Sequence, residues 1–207
     1  IDQFMGSTPY GFGITIDLAG RIWVADYNNR WLVRARPSPP QPTGLFQGPI
    51  SFPMGLTMDP KGNLLVANGY GYNLQYMNLN TPIGRVSPVN GLMTNFYANP
   101  SEIPTPFGLA VDSSENLYAS IYDWYQWNPN PFMNTVRKTS VYEPWKGYST
   151  LASGFTMPAH MVFREGNLYV AEQSYGAGKG KVSKVTLAGS KTDYSTGLNQ
   201  PWGLAFS

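Results

Sequence analysis

The chain contains no cysteine, which excludes disulfide bonds, cysteine-ligated zinc, iron–sulfur clusters and covalently attached c-type haem. It is also poor in charge: 13% of its residues are Asp, Glu, Lys or Arg, and the formal net charge of +2 is too small to favour nucleic acid as a partner. No apolar run is long enough for a membrane-spanning helix. The single histidine, His160, excludes a zinc site of three histidines and any catalytic triad with another histidine as its base.

What the chain does contain are turn formers and aromatic rings. It has 22 Gly and 18 Pro, 14% of its residues are aromatic, and 42% are hydrophobic. This is enough apolar material for a folded core, and so many turn formers favour short strands over a helix bundle. The low charge and the Asn, Tyr and Trp content predict an extracellular or periplasmic protein.

A short phrase recurs along the chain at intervals of roughly 40 to 55 residues. In the first three copies its pattern is a Gly followed by alternating apolar positions and an Asp, and two divergent copies follow. Four of the five copies have Pro two residues before the Gly position. The small residue predicts that the phrase lies where strands crowd together, near the axis of a repeat structure. The five copies start at Gly13, Gly55, Gly108, His160 and Gly203.

After each of the first four copies, a short turn leads into a second apolar run. Asp59-Pro60-Lys61-Gly62-Asn63 is typical of such a turn, because Asp bonds its own backbone, Pro fixes φ and Gly accepts positive φ. Two β-forming runs joined in this way predict a β-hairpin. The second runs are Ile22–Ala25, Leu64–Ala67, Leu117–Ser120 and Leu168–Ala171.

Weaker third and fourth strands complete each repeat. Third strands are predicted at Trp31–Arg36, Asn73–Asn78, Thr135–Ser140 and Lys181–Leu187, and outer strands at Met93–Tyr97, Tyr148–Leu151 and Lys191–Ser195. The Pro-rich stretch Arg36–Pro42 is interpreted as an extended surface connection. Four antiparallel strands per repeat predict an all-β fold, a β-propeller; a β-sandwich gives no reason for a repeated phrase.

The phrase Pro-x-Gly-φ-x-φ-Asp (φ here being an apolar residue) and the run Gly62-Asn63-Leu64-Leu65-Val66-Ala67 resemble NHL-repeat propellers and the related gluconolactonase (SMP-30)-like and streptogramin-lyase-like superfamily. The resemblance covers nearly the whole chain. It implies the propeller fold but not one activity, because this group includes enzymes, RNA binders and protein-interaction scaffolds.

The repeats predict a single propeller domain over residues 1–207. Its complete repeats lie at about 9–51, 52–104, 105–156 and 157–199, and residues 200–207 with 1–5 form a partial fifth. Partial strands at both ends are expected of a fragment of a five- to seven-bladed ring. A compact four- or five-bladed ring, or completion by a neighbouring chain, are the alternatives.

Polar residues stand directly after three of the second strands: Asp26, Asn68 and Glu172, with Ile121 at the same place in the third repeat. The resemblance to gluconolactonase-like enzymes implies that carboxylate and Asn oxygens hold a divalent cation near the propeller axis. The side chains of Asp26, Asn68 and Glu172 are of the types that suit Ca²⁺ or another hard cation. The alternative is that they satisfy backbone groups at strand ends and that no cofactor is bound. His160, in place of the phrase's Gly, is a candidate general base or else a packed, hydrogen-bonded side chain.

An aromatic loop, Tyr122–Phe132, interrupts the third repeat between its second and third strands. Aromatic rings in such loops stack on sugars or anchor protein interfaces, while the alternative is a loop folded over its own blade. The candidate binding residues are Tyr122, Trp124, Tyr125 and Trp127. We therefore expect a non-catalytic extracellular propeller that binds another macromolecule. The favoured partner is a protein or a larger extracellular assembly, and a carbohydrate is the other partner considered. The alternative hypothesis is a metal-dependent lactonase- or lyase-like enzyme.

Overall fold

The computed structural model describes residues 11–36, 41–46, 50, 52–68, 82–96, 103, 105–122 and 131–206. These residues form four antiparallel sheets of four strands each, and in every sheet the strands follow one another in chain order. The described residues therefore have an all-β propeller fold with four complete blades, which correspond to the four complete repeats that the sequence predicts. Within the same residues, none of the helical segments is long and apolar enough to cross a membrane.

The first two blades contain strands β1 to β8. Blade 1 consists of β1 (Gly11–Ile16), β2 (Ile22–Asp26), β3 (Trp31–Arg36) and β4 (Gln41–Phe46). Blade 2 consists of β5 (Pro53–Met58), β6 (Leu64–Asn68), β7 (Ile83–Val86) and β8 (Met93–Asn95).

The other two blades contain strands β9 to β16. Blade 3 consists of β9 (Pro106–Val111), β10 (Asn116–Ile121), β11 (Thr135–Ser140) and β12 (Ser149–Ala152), with a short 3₁₀ turn at Pro144–Lys146. Blade 4 consists of β13 (Pro158–Arg164), β14 (Asn167–Glu172), β15 (Gly180–Thr186) and β16 (Lys191–Leu198).

The Asp of the repeated phrase closes the first hairpin turn of blades 1 to 3. One carboxylate oxygen of Asp17, Asp59 or Asp112 accepts backbone N–H bonds from the residues two and four positions later, at 2.8 to 3.0 Å. The other oxygen of Asp17 accepts the Trp23 indole N–H and that of Asp112 the Tyr118 hydroxyl, each at 2.8 Å. The other oxygen of Asp59 accepts the Asn63 side-chain amide at 3.0 Å. The phrase is thus repeated because the same buried carboxylate organises each turn.

The bonds at Asp112 also set its ionisation. Burial alone would raise the pKa of Asp112, but hydrogen bonds from Asn116, Tyr118 and Ser114 outweigh it and hold the pKa below its ordinary value of 3.8. The pKa of Tyr118 is raised, by burial and by its bond to this carboxylate. The Asp112 turn is therefore built around an ionised carboxylate.

Blade 4 closes its first hairpin differently, because Arg164 stands where blades 1 to 3 have Asp. Arg164 pairs with Asn167, which leaves only Glu165 and Gly166 in the turn. Their φ angles are 49° and 72°, which is the pattern of a two-residue type I′ turn. Loss of the capping carboxylate therefore coincides with a shorter turn.

The chain divides into two compact units, residues 1–106 and 107–207. In the first unit, Leu56 of blade 2 packs in one buried cluster with Trp23, Ala25 and Leu32 of blade 1. A Cβ on Gly13 would meet the Met54 carbonyl oxygen and would lie 2.8 Å from the Leu56 nitrogen. The small residue of this phrase is therefore required by the close approach of two first strands, as predicted.

In the second unit, Met161 of blade 4 shares a buried cluster with Tyr118 and Val136 of blade 3. A Cβ on Gly108 would collide with the Ala159 carbonyl oxygen, so the predicted close approach of first strands holds here too. The Ser120 hydroxyl accepts the Gly108 N–H and donates to the Ala159 oxygen, each at 2.8 Å. This hydroxyl connects the first strands of blades 3 and 4.

Three predicted segments need correction or fall outside the described residues. The third strand of blade 2 is Ile83–Val86, whereas the predicted Asn73–Asn78, like the predicted outer strand at 1–5, lies outside the described residues. Gln41 and Pro42, predicted as part of a surface connection, begin β4, where Pro42 pairs with Ala35. An outer strand tolerates Pro because one of its edges needs no ladder donor.

Candidate functional site

Asp26, Asn68 and Glu172 are the last residues of β2, β6 and β14. Each pairs with the first residue of the preceding strand, Gly11, Pro53 or Pro158. They therefore occupy equivalent places in three blades, and all three are buried. Blade 3 has the buried apolar Ile121 at this place.

The Glu172 carboxylate, 1% exposed, is occupied by donors from its own unit. One oxygen accepts the Thr156 backbone N–H at 2.7 Å. The other accepts the Ser183 hydroxyl and forms an ion pair with the Lys191 ammonium at 3.1 Å. A buried carboxylate with this set of donors is satisfied without a metal.

Lys191 extends the same network to the segment that joins blades 3 and 4. Its ammonium donates to the Gly154 carbonyl at 2.6 Å and lies 4.2 Å from the centre of the Phe155 ring. Together, Glu172 and Lys191 hold residues 154–156 by a backbone donor, a backbone acceptor and a ring. We call these two residues and that segment the linker clamp.

Asp26 also has local partners. Its two oxygens accept the Asn29 backbone N–H at 3.1 Å and the Asn29 side-chain amide at 2.7 Å, which is the geometry of an Asp-capped turn. The Asn68 backbone N–H donates to the Pro82 carbonyl at 2.8 Å. Both residues therefore take part in holding the chain where it leaves a second strand.

These positions bear directly on the hypothesis of a divalent cation. Among the residues that the structure describes, no three His, Asp or Glu side chains gather into a group that could hold a metal ion. A cation at Glu172 would also have to displace the Lys191 ammonium. In the described residues, Glu172 is therefore paired with an ammonium and is not grouped with other acidic side chains.

His160 lies in β13, partly buried. Its Nδ1 atom accepts the Leu204 backbone N–H at 3.2 Å, which leaves the proton of the neutral ring on Nε2. Burial lowers the pKa of His160 below its ordinary value of 6.5. At neutral pH the ring is therefore an uncharged, oriented side chain.

Of the four aromatic residues predicted to bind a partner, the structure describes one. Tyr122 is 6% exposed, and its ring packs edge-on against Phe107 with centroids 6.4 Å apart. Trp124, Tyr125 and Trp127 lie outside the described residues. Tyr122 thus anchors the start of the aromatic loop within blade 3 and has little surface for a partner.

Sequence reasoning missed two features near these positions. Lys191 was assigned only to an outer strand, because nothing in its neighbourhood marks it as the partner of a carboxylate 19 residues away. The ring contact of Phe107 with Trp202, 5.5 Å between centroids, was also missed. Both residues stand between Pro and Gly in their copies of the phrase, which is the signal that could have grouped them.

No protein-family model matches the chain, and no curated protein sequence matches it. Solved structures are similar to it in fold. A catalytically inactive virginiamycin B lyase from Staphylococcus aureus with Quinupristin has a TM-score of 0.62 at 16% identity, over 89% of this chain and 55% of that one. A gluconolactonase from Xanthomonas campestris has a TM-score of 0.67 at 14% identity, over 95% and 65%.

A chain from the nidogen/laminin complex has a TM-score of 0.54 at 13% identity, over 92% of this chain and 80% of that one. Solved structures of a lyase, a gluconolactonase and a chain of the nidogen/laminin complex thus share the fold of this chain, as the resemblance implies. Identities this low establish the fold alone. The chain spans 55% of the length of the lyase.

Proposed function

We propose that the chain is a non-catalytic, extracellular propeller that binds another macromolecule, in the simplest case a protein, through the loops at its blade ends. The observation that carries this proposal is the occupied state of the candidate metal ligands. Glu172 is bonded to Thr156, Ser183 and Lys191, and Asp26 is bonded to Asn29. Such bonds support a structural role for the residues that an enzyme of this fold would need for its cation.

The aromatic loop supplies the binding surface in this proposal. Trp124, Tyr125 and Trp127 follow Tyr122 within six residues, and Trp and Tyr are the residues that contribute most to protein interfaces. The loop follows Tyr122, which is buried against Phe107 of blade 3. The nidogen/laminin complex provides an example of a similar fold in a protein–protein assembly.

The test compares binding by wild type with the double variant Trp124→Ala/Trp127→Ala. Secreted proteins of the source are passed over immobilised wild type, and each retained protein is purified and titrated by calorimetry. We expect the loop variant to lose at least about 2 kcal/mol of binding free energy. Trp145→Ala is the matched control, because Trp145 is 61% exposed in another loop of the same blade, and it should bind like wild type. A partner that binds the loop variant as tightly as wild type would contradict the loop assignment.

The second candidate function is a metal-dependent lactonase- or lyase-like enzyme, and the orientation of His160 favours it. The bond from Leu204 fixes the ring and directs its proton to Nε2, which suits a residue that delivers or accepts a proton. The test measures hydrolysis of gluconolactone with and without added Ca²⁺, together with calorimetric Ca²⁺ binding. Turnover that disappears on chelation and in Glu172→Gln would replace the binding proposal with this one.

A further inference from the structure

Three apolar side chains project from turns of the first compact unit, residues 1–106. Leu18 is 83% exposed in the turn between β1 and β2, while Val89 and Leu92 are 84% and 62% exposed in the turn between β7 and β8. We call these three side chains the apolar tips. Single apolar residues on a surface are common, but these three leave most of their side chains in water at the points of two turns.

The apolar tips lie at one end of the unit. In blade 2, Met58 pairs with Leu64, and Leu64 pairs with Val86, so the turns that follow Met58 and Val86 are neighbours. Leu18 reaches the same end from blade 1, because a Cβ on Gly62, in the first turn of blade 2, would lie 2.9 Å from the Leu18 Cδ1 atom. Turns of two blades therefore present apolar side chains on a shared surface.

Hydrogen bonds within each turn fix the positions of the tips. The Asp17 carboxylate accepts two backbone N–H groups of the first turn, each at 2.9 Å. In the second turn, the Ser87 N–H donates to the Leu92 carbonyl at 3.0 Å, and the Gly91 N–H donates to the Ser87 carbonyl at 2.9 Å. The tips are thus held away from the blades by ordered backbone, so that burying them on a partner would cost little further ordering of the chain.

The charges of this unit are arranged with the acidic groups inside. Asp17, Asp26 and Asp59 are the acidic residues that the structure describes in the unit, and all three are buried. Lys61, in the first turn of blade 2, is exposed at the same end as the apolar tips. Within the described residues, the surface around the tips therefore carries positive charge without an exposed acidic side chain.

One further connection, between β3 and β4, belongs to this end of the unit. Residues 37–40 lie outside the described residues, and their sequence contains no charged side chain. They follow Arg36, the last residue of β3. The other segments of the unit that lie outside the described residues attach at the opposite ends of the strands. The sequence thus adds a cation and no anion to this end.

We propose that the apolar tips insert into the headgroup region of an anionic lipid surface, with Lys61 beside them. A fluid interface accepts convex apolar points at any spacing, whereas a folded protein would need a matching hollow for each one. Burial of apolar side chains and attraction of cations to anionic lipid act together in this kind of binding. The surface belongs to the first unit and the aromatic loop to blade 3, so either proposal can fail while the other stands.

The experiment floats the full chain with vesicles of equimolar phosphatidylglycerol and phosphatidylcholine, or of phosphatidylcholine alone. We expect binding to the anionic vesicles that weakens with added salt, and little binding to the neutral ones. Leu18→Ser/Val89→Ser should weaken binding about tenfold or more, because two apolar side chains no longer leave water. Lys61→Gln should weaken it about fivefold. Tyr175→Ser is the matched control, since Tyr175 is 64% exposed between β14 and β15, and it should bind like wild type.

A polarity-sensitive label distinguishes insertion from electrostatic adsorption. The chain has no cysteine, so Val89→Cys and Tyr175→Cys each accept a single label. On anionic vesicles, emission should shift to shorter wavelength at position 89 and stay unchanged at position 175. Equal shifts at the two positions, a Leu18→Ser/Val89→Ser variant that binds as tightly as wild type, or no binding to either kind of vesicle would overturn the proposal.

Two competing occupants are tested with the same double variant. Sedimentation of the free protein tests a second copy, because a dimer that Leu18→Ser/Val89→Ser dissociates would assign the apolar tips to self-association. Titration of any protein partner of the chain tests a protein interface, which would lose affinity in this variant. Either result in place of vesicle binding would overturn the lipid assignment, and a monomer that binds anionic vesicles is the expected result.

Discussion

Replacing Glu172 by Gln tests whether this residue holds the linker clamp together. The substitution keeps the shape of the side chain and an oxygen for the Thr156 N–H, but it removes the charge that faces Lys191. The Glu172 side chain is 1% exposed and the Lys191 side chain 17% exposed, so water can solvate the remaining ammonium only in part. The expected result is a destabilised blade 4.

The expected loss in the free energy of unfolding depends on which contacts Lys191 retains in the variant. Removing one member of a fully buried ion pair costs about 3 to 5 kcal/mol. Lys191 retains the Gly154 carbonyl at 2.6 Å and the Phe155 ring, which lowers the expected cost to about 2 to 3 kcal/mol. For a chain of this length that corresponds to a fall in melting temperature of about 5 to 10 °C.

The assay is thermal unfolding at neutral pH, followed by circular dichroism, with Asp193→Asn as the matched control. Asp193 forms an ion pair with Lys181 at 2.7 Å on the same blade, but its side chain is 53% exposed. Exposed pairs contribute little to stability, so the control should melt like wild type. Lys191→Met and the double variant Glu172→Gln/Lys191→Met complete a double-mutant cycle, whose coupling energy should lie between about 0.5 and 3 kcal/mol.

Equal melting temperatures for Glu172→Gln and Asp193→Asn would refute the reasoning, because the buried pair would then contribute no more than the exposed one. A wild-type protein stabilised strongly by Ca²⁺, with the effect lost in Glu172→Gln, would also refute it. In that case the carboxylate binds the cation and releases Lys191.

Two further predictions concern the repeated phrase. Gly108→Ala should lower the free energy of unfolding in chemical denaturation by about 1 to 3 kcal/mol, because the new Cβ would collide with the Ala159 carbonyl. Gly203→Ala is the control and should be neutral, because a Cβ there meets nothing within 4 Å. Equal effects of the two substitutions would contradict the close approach of β9 and β13. The lowered pKa of Asp112 predicts a stability contribution that is complete above its ordinary value of 3.8 and is lost as the pH falls through the folded value. Melting temperatures measured from pH 6 to pH 2.5 should therefore fall less steeply for Asp112→Asn than for wild type, and parallel curves would contradict this assignment.

The hairpins could be predicted from sequence because their signals are local. Asp59 and the residues that it caps lie within four positions of one another, and the phrase repeats this relation, so the turns and first two strands of each blade follow from pattern alone. The third strand of blade 2 was placed wrongly, because an apolar run that lacks a turn signal has no local marker of its position. Pro42 was assigned to a connection for a similar reason, since only its place at a sheet edge makes it compatible with a strand.

The candidate site was less predictable because its partners are distant in sequence. The end of each second strand is marked by the repeat, which located Asp26, Asn68 and Glu172. Whether such a carboxylate binds a metal or an ammonium depends on what the outer strand brings to it, and the repeat does not specify that residue. The pairing of Lys191 with Glu172 could therefore be identified only from the structure.

The Ser120 hydroxyl has a consequence for how the second unit unfolds. In a repeat array, cooperativity depends on the free energy between neighbours as well as on the stability of each repeat. Ser120 bonds to Gly108 of its own blade and to Ala159 of the next one, while the other repeats have Ala25, Ala67 and Ala171 at this position. Blades 3 and 4 are therefore coupled through a polar bond that alanine cannot form, and their first strands should open to hydrogen exchange as one cooperative unit.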